Sequence, residues 1–477
     1  MTPRPCRRIM ILVTDRETDE AHALAVSLRK LFEHTLTSLR RPSALADRIS
    51  THLACPLNEV PTVTAVFPGW EHANLQCGLD AYLAEHSPDA EWFGIDGDGR
   101  TYRDIKDMLT NSVTRGGYDL GAVDYVSVAV GPDETIDAVH LGLISSFAPD
   151  GRPVTVALMG PPDHSVDQPC KLHVLAAERS AATAAREEIE RLTDRHNAFG
   201  GKVISFGISE HRGNHLLSFL PRPEVGADDV VLPDGVLDSV ERHVVRSAES
   251  AKLLAAHGQH LKRGLLLHGP PGTGKTHTVR YLLGRLGERT VIVISGVAVL
   301  KLLRVATTLA RRLQPAVVVV EDVDLIAQDR AANSCGTPVL FELLNEMDGV
   351  DSEADVTFVL TTNRVEVMEK ALSERPGRVD LAVEVPLPDE RCRERLLRLY
   401  AKSADLDLPD AGAIVARTAG VTASFMRELV RRAILLGIDE HTGGQRVRLD
   451  EAVLTKALDE LMDERGALTR RILGGAR

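Results

Sequence analysis

Short apolar runs alternate with helix-like spacing through the first 224 residues. The runs VTAVF, DYVSVAV, PVTVALM and KVISFGI read as strands. Between them a helix is marked by Ala185, Ile189, Leu192, His196 and Phe199, which recur at spacings of four and three until Gly200 and Gly201 stop it. This pattern predicts a mixed α+β module over residues 1–224. Leu220 to Gly235 then concentrates prolines, glycines and acids, as a connection between domains does, so a boundary is expected at 224/225. Beyond it come a helix from Gly235 to about His257, a leucine strand running into a glycine-rich loop, and the valine run of PAVVVVEDVDLIA. Val317 to Val320 is suited to a central parallel strand covered on both faces. After VEVPLPD the pattern turns helical, with Leu396, Leu399 and Tyr400 on one face.

Composition narrows the admissible functions. A chain of 477 residues with 44% hydrophobic content is long enough for two or three cores. Its 56 basic and 68 acidic residues give a net charge of −12, so the chain as a whole carries no nucleic-acid footprint. The six cysteines form no C-x-x-C pair, which argues against a zinc site or a disulfide framework and for reduced cytosolic thiols. No run approaches the roughly 18 apolar residues of a spanning helix, so a cytoplasmic protein without a membrane segment is expected. GIDGDGR, around Asp96 and Asp98, lacks the closing glutamate of a calcium loop and reads as a turn; MGPPDHS at Gly160 has no lysine to meet a phosphate.

One loop does carry a lysine. Gly269, Pro270, Pro271, Gly272, Thr273, Gly274, Lys275 and Thr276 fit G-x-x-x-x-G-K-[ST] between a strand and a helix. Its glycines let successive N–H groups turn inward and, with the helix N-terminus, form a cradle for phosphates. Lys275 reaches the β- and γ-phosphates, and the Thr276 hydroxyl ligates Mg²⁺. Such a loop needs a second strand with an acid for magnesium and a group to position the attacking water. Glu321 and Asp322 end the valine run, and strand alternation would aim one carboxylate at the metal and the other at the water.

Four motifs in order, GLLLHGPPGTGKT, VVVVEDVDLIA, LTTNR (Leu360 to Arg364) and RPGRVD (Arg375 to Asp380), resemble those of the AAA ATPases over about residues 228–462. The resemblance implies an α/β fold: an αβα P-loop NTPase domain with a parallel sheet (225–388), a helical lid (389–465) and a C-terminal tail (466–477). It also implies ATP as the nucleotide, Asn363 as the residue that lines up water near the γ-phosphate, and Arg375 and Arg378 as arginine fingers acting on a neighbour's ATP. Fingers in trans imply a homo-oligomeric ring, a hexamer or similar, working on a protein client. An exposed R-P-G-R turn is the plain alternative for the two arginines.

Three departures qualify the resemblance. Glu321 precedes Asp322, whereas most relatives place Asp before Glu; the Rieske-protein translocases of the family share the EDVD order, but this chain shows no counterpart of their membrane segment. Glu321 would hold Mg²⁺ and Asp322, one methylene shorter than the usual glutamate, would polarise the nucleophile. No aromatic residue lies between Gly296 and Pro315, where threading relatives carry a pore loop, so a helix packed on the sheet is expected there, with Leu300 or Leu302 as weak substitutes for the paddle. ALSERPGR is one residue longer than the common pattern before the first finger, which leaves Arg378 the safer anchor. Ser424 stands where relatives place a second sensor or a small residue and, like Arg427, is assigned no catalytic role. The expected protein is an ATPase that remodels or moves a protein partner, or else a slow nucleotide-gated assembly switch.

Overall fold

In a computed structural model, residues 24–31, 43–100, 103–114, 116–161, 168–207, 217–324, 338–350, 353–366, 368, 378–439 and 446–463 are described. The chain divides into two units. One comprises Met1–Ser127, Asp137–Asp163 and Asp167–His196; the other comprises Val128–Ile136, His164–Val166 and Asn197–Arg477.

The apolar runs between Thr62 and Leu175 form β1 (Thr62–Phe67), β2 (Trp92–Asp96), β3 (Asp119–Gly121), β4 (Asp124–Ala129), β5 (Thr135–Phe147), β6 (Pro153–Met159) and β7 (Cys170–Leu175). They make one sheet in the order β1-β7-β6-β5-β2-β3, with β4 on β5. Pairs along this order are antiparallel. Alternation sends Val154, Val156 and Leu158 to one face, where they meet Leu75, Leu79 and Tyr82 of α2 (His72–His86) and Ile189 and Leu192 of α4 (Arg179–Arg195). Ala157 turns to the other face, with Leu45 and Ile49 of α1 (Ala44–Leu53) and Met108 of α3 (Ile105–Thr114). Helix α4 stops at Arg195, before the four-and-three pattern ends. Phe199 N–H bonds the Asn197 side chain in a turn, so His196 is exposed and Phe199 packs on Phe219 in the second unit.

In the second unit β8 (Val203–Phe206), β9 (Leu217–Leu220), β10 (Arg263–His268), β11 (Thr290–Ser295), β12 (Ala316–Glu321), β13 (Val356–Thr362) and β14 (Leu381–Glu384) form a sheet in the order β14-β10-β13-β12-β11-β8-β9. Every pair is parallel except β8–β9. The sheet thus takes up two strands from before residue 225. Arg222 ties the following segment down by donating to the carbonyls of Leu283, Gly201 and Arg289. Val317 to Val320 are at most 1% exposed, as a strand covered on both faces requires.

Helix α5 (Lys275–Arg285) follows the glycine loop, and α6 (Val297–Arg312) begins directly after Gly296. Val299, Leu303, Ala306 and Leu309 of α6 are buried at helical spacing, and Leu302 is half-buried; α6 is a helix packed on the sheet. α7 (Pro338–Asp348) follows β12. The C-terminal part packs α8 (Glu390–Tyr400), α9 (Gly412–Arg417), α10 (Ala423–Asp439) and α11 (Glu451–Met462) around Leu397, Phe425, Leu429 and Leu458. To the expected helices it adds one short parallel ladder, β15 (Asp405–Asp407) with β16 (Arg448–Asp450).

Candidate functional site

Register brings the site together. His268 pairs with Thr362 and Val320 with Leu360, so Gly269, Asn363 and the residues after Glu321 leave three neighbouring strands at one level. That level is the C-terminal edge of a parallel sheet, where such folds bind ligands. In the loop, Gly269 (φ 144), Gly272 (φ 78) and Gly274 (φ 112) hold backbone angles that side chains resist. A Cβ at Gly269 would lie 2.3 Å from the Val385 carbonyl oxygen. Thr273 Oγ1 donates to the Pro270 carbonyl at 3.0 Å, closing the Pro270–Pro271 turn. Gly274 caps α5, and Lys275 opens the helix.

Lys275 is 6% exposed and its Nζ donates to the Gly269 and Pro270 carbonyls, both at 2.8 Å. Burial lowers its pKa; the carboxylates of Asp322 and Asp324 oppose that shift. The next hydroxyl, Thr276, acts on Glu321, the last residue of β12. Burial pushes the Glu321 carboxyl up, the Thr276 hydroxyl counters it, and the charge of Asp322 adds to it.

Asp322 does not continue the strand. It takes the left-handed conformation, φ 50, and its N–H donates to Thr361 Oγ1 at 3.0 Å. The divergence of Glu321 and Asp322 therefore comes from a turn, which Asp tolerates better than most residues, and not from strand alternation as the sequence suggested. The Asn363 side-chain amide, one residue past β13, donates to Asp322 Oδ1 at 3.1 Å. A third acid joins this group. Asp324 is 3% exposed, and its Oδ1 accepts the Thr362 hydroxyl and the Asn363 N–H, both at 3.0 Å. Sequence reasoning passed over Asp324, though it stands in the same EDVD run.

Arg378 lies elsewhere. Its carbonyl packs against Gly264, and Asp380 exchanges bonds with Gly264 at the start of β10. Five residues of strand, about 16 Å, separate that end from Gly269. The guanidinium is 13% exposed and paired through two nitrogens with Asp348 at the end of α7; its third nitrogen, Nη1, is buried without an acceptor among the described residues. Arg375 falls outside the described residues.

Beside the loop, the N–H and Oγ of Ser424 donate to the Gly272 carbonyl at 3.1 and 3.3 Å, so the N-terminus of α10 abuts the glycine loop. His277 Nε2 bonds the Asp229 carbonyl at 3.0 Å, and the Asp229 carboxylate accepts Lys402 Nζ at 3.3 Å. Arg427 is exposed.

A glycine loop opening a helix, a lysine inside it, and acids and an amide on the next two strands define a P-loop nucleotide-binding domain. Residues 265–387 match the family described as "ATPase family associated with various cellular activities (AAA)". The chain is 30% identical over 235 residues to proteasome-activating nucleotidase 1 of Halobacterium salinarum, covering 46% of this chain and 57% of that one. It is 30% identical over 272 residues to ATP-dependent zinc metalloprotease FtsH 1 of Conexibacter woesei, covering 54% of this chain and 40% of that one. To the FtsH of Mycobacterium bovis it is 29% identical over 296 residues, 58% and 36% of the two chains. Residues 265–387 therefore carry an AAA-type P-loop ATPase domain. The chain spans between about a third and three-fifths of the length of these relatives. Among the described residues no helix is long and apolar enough to cross a membrane.

Proposed function

We propose that the chain hydrolyses ATP to ADP and phosphate, as a cytoplasmic ring of identical subunits, and uses the energy to remodel or move a protein partner. The observation that carries this reading is the convergence of Lys275, the Thr276–Glu321 pair and the Asp322–Asn363 pair on one sheet edge. The N–H groups of Gly269 to Thr276 and the Lys275 ammonium bind the β- and γ-phosphates. Oxygen donors suit a hard cation, so Thr276 and Glu321 are the residues that would hold Mg²⁺, which neutralises charge on the β- and γ-oxygens when bound. Asp322 orients and polarises the attacking water, and Asn363 fixes Asp322. Arg378, far from its own glycine loop, fits a finger acting on the next subunit's ATP, as does Arg375 by its motif. In this reading residues 1–196 recognise the client, residues 197–388 bind nucleotide and residues 389–465 form the lid.

The names of the two kinds of relative point to protein substrates, a proteasome in one case and proteolysis in the other. The zinc-protease pattern H-E-x-x-H does not occur in these 477 residues. The test is capture of ring and client together. Asp322→Asn protein in ATP and Mg²⁺ should sediment as an oligomer and retain specific cell proteins, while Lys275→Ala protein should not. Equal retention by both variants would refute an ATP-dependent client cycle.

A second reading, the nucleotide-gated assembly switch, is favoured by α6. That helix follows Gly296 with no intervening loop, and Leu302 is half-buried, so aromatic gripping of a threaded chain has no support there. ATP-dependent assembly with turnover unaffected by any protein client would favour the switch.

A further inference from the structure

The acid beyond the Glu321–Asp322 pair has no assigned role in the scheme above, yet it is the most deeply buried carboxylate at the site. Asp324 is 3% exposed, against half-buried Glu321 and Asp322. Charged side chains stay that deep only where hydrogen bonds hold them. Among the described residues both bonds of Asp324 go to one place, the end of β13: Oδ1 accepts the Thr362 hydroxyl at 3.0 Å and the Asn363 N–H at 3.0 Å. The Thr362 hydroxyl in turn accepts the Arg364 N–H at 3.0 Å, so the backbone on either side of Asn363 is held. What that leaves unheld is the Asn363 side chain, which extends to Asp322 Oδ1 at 3.1 Å.

We infer that Asp324 is a positioning residue for ATP hydrolysis: by clamping the backbone of Asn363 it sets the Asn363 amide against Asp322 and so fixes the carboxylate that orients the attacking water. This rests on the proposed roles of Asp322 and Asn363. The need for a clamp follows from local geometry. Asp322 sits in a left-handed turn beyond the strand, tied by its N–H to Thr361, and its short side chain has little reach to correct a misplaced partner. An error near 1 Å at such a group costs about 100-fold in rate. Charge on Asp324 also opposes the burial-driven loss of the Lys275 proton, a second contribution at the phosphate end.

The test compares the parent with Asp324→Ala, Asp324→Asn, Asn363→Ala and the Asp324→Ala/Asn363→Ala double variant. A residue acting through Asn363 should lower kcat in Asp324→Ala by about 10- to 100-fold while KM and ATP affinity move less than about 3-fold. The double variant should be no slower than Asn363→Ala within about 3-fold, because both changes remove the same interaction. Asp324→Asn keeps an acceptor oxygen and should recover most of the turnover. If the alanine variant does not fold, Asp324→Leu, of similar size and without an acceptor, is read in its place. Unchanged kcat, multiplicative losses in the double variant, or loss of ATP binding in step with thermal stability would each overturn the inference. A readout independent of turnover separates its failure from that of the ATPase reading: crystal structures of the parent and the Asp324 variant. The inference requires the Asn363–Asp322 contact to open beyond hydrogen-bond distance in the variant, and an intact contact would contradict it even if the parent proved inactive.

Discussion

The side-chain amide of Asn363 donates to Asp322 Oδ1 at 3.1 Å, joining the ends of two neighbouring strands, β12 and β13, across the floor of the site. If Asp322 orients the nucleophile, loss of this bond lets the carboxylate wander while nucleotide contacts stay intact. Asn363→Ala should therefore lower kcat by about 10- to 100-fold with little change in ATP affinity, measured by steady-state turnover and calorimetric binding. Equal losses in both would place Asn363 in binding instead.

Thr361 holds the same turn from the other side by accepting the Asp322 N–H at 3.0 Å. Thr361→Val keeps the shape and removes the acceptor, leaving a half-buried N–H without its partner. That should cost about 1 to 3 kcal/mol in denaturant unfolding and slow turnover as well. A variant as stable and as fast as the parent would show that the turn does not depend on this bond.

Arg378 cannot serve its own glycine loop from the opposite end of β10, so its effect should depend on assembly. Arg378→Ala should bind ATP normally and lose about 10³-fold or more in turnover at concentrations where the parent is oligomeric. The Asp348 bond holds the guanidinium within its own chain. Parent turnover per subunit that is independent of protein concentration, down to the dissociated monomer, would contradict a finger supplied in trans.

Gly269 combines φ 144 with a Cβ position 2.3 Å from the Val385 carbonyl. Gly269→Ala should destabilise the domain by about 2 to 3 kcal/mol and abolish nucleotide binding, because the loop must shift to relieve both strain and clash. Denaturant unfolding with and without ATP measures both effects; a stable variant whose midpoint still rises with ATP would be inconsistent with this geometry.

The first unit carries its own pH signature. His72 and His173 are 3% and 1% exposed, and burial lowers each pKa from 6.5 to about 4. The unfolded chain therefore binds more protons than the folded one between those values. Stability from the neutral buried rings is complete above pH 6.5 and is lost as pH falls towards 4, by about 3 kcal/mol per histidine. Both tryptophans of the chain, Trp70 and Trp92, lie in this unit, so fluorescence-detected urea unfolding reports it selectively. The midpoint should fall over that window, and less steeply in a His173→Gln variant; an equal slope would show that His173 is not buried neutral.

Contiguous features were legible in the sequence. Gly269 to Thr276 form one local motif, and Val317 to Val320 announce a strand buried on both faces. Features made by distant partners were not. Nothing near Asp324 marks it, because its partners Thr362 and Asn363 arrive from a strand nearly forty residues on, and nothing in RPGR shows the pairing of Arg378 with Asp348. Nothing local in VVVVED shows that the strand stops at Glu321, because the Thr361 hydroxyl that ends it comes from the neighbouring strand. The prolines of Leu220 to Gly235 resemble an interdomain connection, yet Arg222 ties that segment to Leu283 and Arg289, and β8 before it pairs with β11. The helix pattern through Phe199 overran for a related reason: Phe199 is apolar because it is buried against Phe219, not because it extends the face of α4.

In the proposed cycle Asp322, second in the pair, is the water-orienting acid. The most direct test of that role is single-turnover hydrolysis of ATP by Asp322→Asn, with nucleotide affinity measured on the same protein. Affinity is expected within about 3-fold of the parent, with the hydrolysis step slowed by about 100-fold or more. Hydrolysis at the parental rate, or a slow step found only in Glu321→Gln with Mg²⁺–ATP affinity intact, would contradict it.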